Sequence, residues 1–157
     1  MNDHDRREVS TASGSAVIEG AVSGAIATVA MSGVMLLGER AGVVGELPPA
    51  SVTRHALRAA GVERPSQAAA VLAPIAHLGF GAVGGALYAA VRRVAPGVPG
   101  PPLGVLFGLA AWAVSYKGWI PALGILPPPE DDRPGRPAVM VAAHVVYGLV
   151  LGRLVGA

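Results

Sequence analysis

The 157-residue sequence contains no cysteine, and only 4% of its residues are aromatic and 14% charged. Without cysteine, the chain forms neither disulfide bonds nor metal sites built from thiolates. A soluble domain carries about 25% charged residues, so the small charged fraction argues against a chain that folds in water. The formal net charge of +2 and the lack of a basic cluster with interleaved aromatic residues exclude a nucleic-acid partner.

Apolar residues are abundant where charged residues are few. They make up 52% of the chain and leave four uncharged runs, 20–38, 65–91, 94–116 and 137–152. A transmembrane helix needs about 20 mostly apolar residues. Three runs reach this length, and the last one reaches it because Arg153 can snorkel while 154–157 extend the run. We predict an all-α membrane protein with four transmembrane helices.

Residues 1–15 precede the first run and mix acidic, basic and hydroxyl side chains. The uncharged run that follows is longer than the apolar segment of a secretory signal peptide. We therefore predict a polar N-terminal tail over 1–15, an uncleaved first span, and a single transmembrane domain over 16–157.

Two segments of the sequence share one pattern. AHLGFGAVGG at 76–85 and AHVVYGLVLG at 143–152 both place glycine four and eight residues after histidine. Upstream of each lies a helix with small residues four apart, and the sequences GELPP and GILPP follow the first and third spans. The order of these elements predicts two parallel helical-hairpin repeats, about 16–93 and about 98–157, related by a pseudo-twofold axis along the membrane normal.

Small residues four apart let membrane helices approach closely, so this spacing predicts the helix-packing positions. The predicted packing residues are Gly20, Gly24, Gly81, Gly85, Gly104, Gly108, Gly148 and Gly152. Aromatic rings beside a lysine are typical of the headgroup zone and predict interfacial anchors at the end of the third span. These anchors are Trp112, Tyr116, Lys117 and Trp119.

The loops contain two further segments of interest. Relative to the second half, the first loop has an insertion at 50–61, which forms either a short interfacial helix or an ordinary loop helix. The acidic residues 130–132 are expected to form a solvated loop rather than a cation site, so no metal site is predicted.

His77 and His144 stand inside apolar runs, where an ionisable side chain is costly and is therefore a candidate functional residue. If the repeats are parallel, the two histidines lie at similar depth in the membrane. We expect each to face the bundle interior with a polar partner on another helix. Three roles fit such a pair: hydrogen bonding across helix interfaces, proton transfer, and axial ligation of a b-type haem. The sequence favours the first role, which needs no cofactor.

The sequence contains no enzyme signature: G-x-S-x-G, H-E-x-x-H, a P-loop and a dinucleotide fingerprint preceded by a strand are all missing. No catalytic residue is therefore predicted.

The expected partners are the lipid bilayer and either further copies of the chain or a larger membrane complex. Arg92 and Arg93 lie beside the short connection between the two halves, so the positive-inside rule favours cytoplasmic termini.

Over about 75–150 the sequence resembles the YagU-like family of uncharacterised bacterial inner-membrane proteins. The resemblance lies in His77, Tyr88, Gly104, Gly108, Trp112, Pro121, Gly124, Pro127 and His144. It implies a small multi-pass protein of the bacterial inner membrane, without an assigned catalytic residue and with a link to acid or envelope stress.

The function predicted from the sequence is that of a non-enzymatic structural or accessory membrane protein. The alternative is a small proton or solute transport unit that acts as an oligomer, because four short helices rarely enclose a pore alone. A third candidate is a b-type haem carrier that uses His77 and His144 as ligands.

Overall fold

The computed structural model describes the backbone of residues 3–155 and the side chains of residues 14–155. The regular structure of this part of the chain is helical, without a strand, which confirms the all-α prediction for these residues. The helices are α1 (Asp3–Arg40), α2 (Pro48–Ala59), α3 (Pro65–Val94), α4 (Gly100–Trp112), α5 (Ile120–Ala122) and α6 (Arg136–Leu154). A π-helical segment (Ala113–Trp119) joins α4 to α5.

Four helical stretches are long and apolar enough to cross a membrane: Gly14–Arg40, Pro65–Val94, Gly100–Ala122 and Arg136–Leu154. The third stretch comprises α4, the π-helical segment and α5. Each of the four predicted spans therefore has a matching helix. Helix α1 begins at Asp3, so its backbone is helical through most of the segment predicted as a polar tail.

Prolines explain where several helices begin. Helices α2, α3, α4 and α6 each carry proline in the first turn, where a missing N–H costs no intrahelical hydrogen bond. Most of the inserted segment 50–61 lies within α2, which confirms that this insertion is helical. Helix α2 packs along α3.

Helices α1 and α6 form the central pair of the bundle, while α3 packs on α1 and α4 packs on α6. Both central helices bury a small residue completely, Ala27 in α1 and Ala143 in α6, and small side chains allow close approach. The two histidine-bearing helices, α3 and α6, are not the central pair, because the small-residue face of α3, including Gly85 and Ala89, is covered by α1.

Two buried tyrosines connect the hairpin α1–α3 to the hairpin α4–α6. The Tyr88 hydroxyl donates to the carbonyl oxygen of Gly100 at 2.8 Å, and the ring centroids of Tyr88 and Phe107 are 5.4 Å apart. The Tyr147 hydroxyl donates to the carbonyl oxygen of Gly81 at 2.9 Å. Both hydroxyls thereby find an acceptor on the backbone of a neighbouring helix, as buried tyrosine hydroxyls usually do.

Large apolar side chains point away from the bundle. Exposed examples are Ile18, Val29, Leu37, Val71, Ile75 and Val83. In water such a surface would favour aggregation, whereas in a bilayer the same side chains contact lipid tails. The outward face of the bundle therefore agrees with the membrane class indicated by the composition.

Within each hairpin the helices meet backbone to backbone. A Cβ atom added to Gly24 would collide with the backbone of Gly81 and Gly85. In the same way, one added to Gly104 would collide with the backbone of Gly148 and Gly152. The remaining two predicted packing residues, Gly20 and Gly108, also lie at these interfaces.

We expect Gly81→Leu and Gly148→Leu to force the hairpin helices apart and to lower the free energy of unfolding by about 1–3 kcal/mol. Gly79→Leu is the matched control, because a Cβ atom at this position of α3 meets open space. Leucine favours helix more than glycine does, so the control should be neutral or slightly stabilising. Thermal unfolding in detergent measures the effect, and equal melting temperatures for Gly79→Leu and Gly81→Leu would contradict close packing.

Candidate intramembrane ligand site

A cavity of about 140 Å³ lies between α1, α3, α6 and the helical segment that follows α4. Helix α2 covers it through Pro48, Pro49 and Val52. The wall is mostly apolar, and no charged side chain of the described residues lines it. Among those same residues, no three His, Cys, Asp or Glu side chains lie close enough to share a metal ion.

His77 of α3 and His144 of α6 both line this cavity, so the structure brings the two intramembrane histidines to one site. His77 Nδ1 lies 3.3 Å from Ser32 Oγ on α1 and shares a hydrogen bond with it. His144 Nδ1 donates to the carbonyl oxygen of Met140 at 2.8 Å, one turn back on its own helix. A polar partner on another helix is thus confirmed for His77 and wrong for His144.

The serine that partners His77 has no counterpart in the second half of the chain. Eight residues after Gly24, α1 carries Ser32, whereas eight residues after Gly104, α4 carries Trp112. An indole N–H donates but does not accept, so Trp112 offers no acceptor for the proton of His144 Nδ1. Trp112 Nε1 itself is buried and has no hydrogen-bond partner within the described residues.

Three methionines line the same cavity, and the sequence analysis missed them. Met31 and Met35 lie one turn apart on α1, and Met140 lies one turn before His144 on α6. They are only 6%, 2% and 2% exposed, respectively. Residues four apart share a helix face, which is the signal that the sequence offered. The spacing alone does not say that both faces point to one cavity.

The π-helical segment forms one wall of the cavity. A π-helix has wider turns than an α-helix and is frequent at functional sites. Gly118 departs from helical geometry inside this segment, with φ −99° and ψ −105°. Ser115, Tyr116 and Trp119 reach the cavity from it, and the Trp119 ring lies 6.1 Å from the Phe80 ring of α3.

The residues predicted as interfacial anchors divide into two groups. Lys117 is exposed, as expected of an anchor. The three aromatic rings point inward: Tyr116 is 2% exposed, Trp112 stacks on it with ring centroids 6.3 Å apart, and Trp119 lines the cavity. Tyr116 and Trp119 therefore shape the cavity wall, and Trp112 packs against Tyr116.

Asp132 and Arg136 form a buried ion pair at the start of α6, with 2.8 Å between Nη1 and Oδ1. The Tyr116 hydroxyl donates to Oδ2 of the same carboxylate, and Arg136 Nε donates to the carbonyl oxygen of Val44 at 2.7 Å. The expectation of a solvated acidic loop is therefore wrong for Asp132, whose side chain is 2% exposed. The network ties the π-helical segment, α6 and the loop after α1 together.

Glu46 holds the covering helix α2 in place. The Arg54 guanidinium donates to both carboxylate oxygens, with 2.6 Å between Nη2 and Oε2, and Ser51 Oγ donates to Oε2 at 2.9 Å. The hydrogen bond from Arg54 lowers the pKa of Glu46 below its ordinary value of 4.5, against an opposing effect of burial. The same bond raises the pKa of Arg54.

By length and composition, the four long apolar helices place the chain in the class of multi-pass helical membrane proteins. Residues 15–157 match the model of a family of unknown function, DUF6789, and the chain belongs to this family. No curated protein and no solved structure matches the chain. The family match does not link the chain to the YagU-like family, so that resemblance stays a prediction.

We expect Glu46→Gln to lower stability at neutral pH by at most about 1 kcal/mol, because the ion pair is partly exposed. The contribution of the ionised Glu46 is present above its ordinary pKa of 4.5 and is lost as the pH falls through its lower folded-state pKa. The difference in melting temperature between wild type and variant should therefore shrink below about pH 4.

Glu63→Gln, in the exposed loop between α2 and α3, is the matched control. It should leave the melting temperature unchanged both at neutral pH and below about pH 4. A stability difference between wild type and Glu46→Gln that persists undiminished in acid would count against the ionic contact.

Proposed function

We propose that the protein is a non-enzymatic accessory protein of the bacterial inner membrane that binds a small ligand in the cavity between its hairpins. One observation carries the proposal: His77 and His144, from different hairpins, line one cavity together with three buried methionines. A mostly apolar pocket with a few convergent polar groups is the usual form of a small-molecule binding site.

The volume of the cavity limits the ligand. At about 140 Å³ it is similar to an engineered apolar cavity of about 150 Å³ that binds benzene. A molecule of that size, or a metal ion, fits the space.

The polar groups of the cavity support binding rather than catalysis. The Ser115 hydroxyl donates to the carbonyl oxygen of Ala111 at 2.7 Å and approaches that of Trp112 at 3.3 Å. It is thus engaged within its own helix, whereas an activated serine needs a base within hydrogen-bond reach.

The two hairpins are, in this proposal, homologous copies. The glycine contacts within each hairpin repeat with the same spacing along both helix pairs. Gly45 and Gly124, which open the two G-x-L-P-P sequences, have similar left-handed φ angles of 68° and 66°. Duplication of one hairpin accounts for the equivalent positions of His77 and His144 in the sequence.

The proposed orientation places both termini in the cytoplasm. Arg92 and Arg93 lie in the last turn of α3, next to a short connection, where the positive-inside bias is strongest. Helix α3 is the least buried of the four spanning helices, and its outward face is available to lipid or to a second copy of the chain. A role in acid or envelope stress is the physiological process that the YagU-like resemblance suggests.

Filling the cavity tests the binding function. Ala76 lines the cavity, so Ala76→Phe should displace whatever the protein carries from its own membrane. Ala90→Phe is the matched control, because Ala90 is exposed on the same helix and lies outside the cavity. Native mass spectrometry from nanodiscs should show a bound species on wild type and Ala90→Phe but not on Ala76→Phe. The same added mass on all three proteins, or no added mass on any of them, would refute the proposal.

Proton transfer is the second candidate, because the two imidazoles share one cavity. If His77 is a binding and packing residue, His77→Asn should be milder than His77→Leu, since asparagine keeps a hydrogen bond to Ser32. We expect this order in melting temperature at His77, and no proton flux in liposomes. Equal damage by both substitutions, with flux that titrates between about pH 5 and 8, would favour proton transfer instead.

A further inference from the structure

Thioether sulfur is concentrated at the cavity. Every methionine whose side chain the structure describes, Met31, Met35 and Met140, lines it. Methionine often fills irregular gaps in a core, but here the thioethers share the wall with two imidazoles. Thioethers are soft ligands that select Cu(I), and imidazole also suits copper. The donor types on this wall thus point to a soft metal ion.

The hydrogen bonds of both imidazoles leave the other ring nitrogen available. A carbonyl oxygen only accepts, so the bond to Met140 places the proton of His144 on Nδ1 and leaves a lone pair on Nε2. His77 also uses Nδ1, in its contact with Ser32, and its Nε2 carries the lone pair in the tautomer in which Nδ1 donates to the serine hydroxyl. In the part of the chain with described side chains, neither Nε2 has a hydrogen bond. Metal-binding histidines are usually held in this way through the nitrogen that does not bind metal.

The charge of the wall restricts the ion further. All lining side chains are uncharged, and the carboxylate of Asp132, which Tyr116 contacts, is already paired with Arg136. An ion taken into a poorly solvated site loses its hydration, and the cost rises with its charge. Without an anionic ligand, a monovalent ion is therefore favoured over a divalent one.

Resting on the binding function proposed above, we propose that the cavity is a Cu(I) site. Its ligands come from the donors on this wall, the thioethers of Met31, Met35 and Met140 and the Nε2 atoms of His77 and His144, which are more than one Cu(I) ion needs. Fewer than three His, Cys, Asp or Glu side chains come together at any point of the described residues, so the methionines are essential to this site. Thioethers and neutral imidazoles bind Cu(I) without loss of a proton and without a redox step.

Anaerobic titration of the detergent-purified protein with Cu(I), in competition with a chromogenic Cu(I) chelator, tests the site. Wild type should bind one Cu(I) per chain, and X-ray absorption at the copper edge should show sulfur as well as nitrogen ligands. The double variant Met31→Leu/Met140→Leu should bind at least about tenfold more weakly. Leucine is close to methionine in volume, so the copper-free melting temperature should stay near that of wild type.

The chain has four histidines, and the two outside the cavity provide the matched control. His55 is exposed on α2, and His4 lies outside the described side chains. The variant His4→Ala/His55→Ala should bind Cu(I) as tightly as wild type. Zn²⁺ titrated in the same way should show no difference between wild type and the double methionine variant.

Two results would overturn the Cu(I) site: equal Cu(I) affinity in wild type and Met31→Leu/Met140→Leu, or loss of binding in His4→Ala/His55→Ala. If Cu(I) fails to bind while the species carried from the native membrane still depends on Ala76, the ion assignment is wrong and the binding function stands. If Ala76→Phe carries the same species as wild type, the binding function and the Cu(I) site both fail.

Discussion

Backbone contact between glycines is the constraint on which the rest of the structure depends. Within each hairpin, glycines such as Gly24 and Gly104 leave no room for a side chain at the contact, so the helix backbones touch. Further along the same helices, larger residues such as Trp112 take the place of glycine in the four-residue spacing. Helices held together at one end and spaced by bulky residues at the other enclose a cavity between them. The tight contacts and the open site are therefore two results of one packing pattern.

Polar interactions stabilise the bundle, because burial of apolar surface gives little driving force for helix association in a membrane. Lipid tails are as apolar as the helix surfaces, so close packing and interhelical hydrogen bonds carry the association. Tyr88 and Tyr147 donate to backbone carbonyls of neighbouring helices, and the Asp132–Arg136 pair fixes the loops at the opposite end. The backbone at the cavity is thereby held from both sides. The imidazoles and thioethers on its wall have defined positions because the surrounding helices are fixed.

Helix α2 lies between two spanning helices in the chain and covers the cavity. Its proline-rich first turn lies over the site, while Glu46 and Arg54 hold it through a partly exposed ion pair. Stability of this cover depends on the ionised form of Glu46, so acid weakens the contact that holds α2 over the cavity.

The sequence by itself determined the class of the protein and the positions of its spans, because run length and charge density depend only on the chain and on the thickness of a bilayer. It also indicated the packing glycines and the two histidines, because a four-residue spacing defines a helix face. The tertiary structure alone decided that α1 rather than α3 pairs with α6, that Tyr116 and Asp132 turn inward, and that three methionines meet the histidines. Spacing defines a face but not the rotation of a helix against its neighbours, and that rotation is settled only when all four helices pack together.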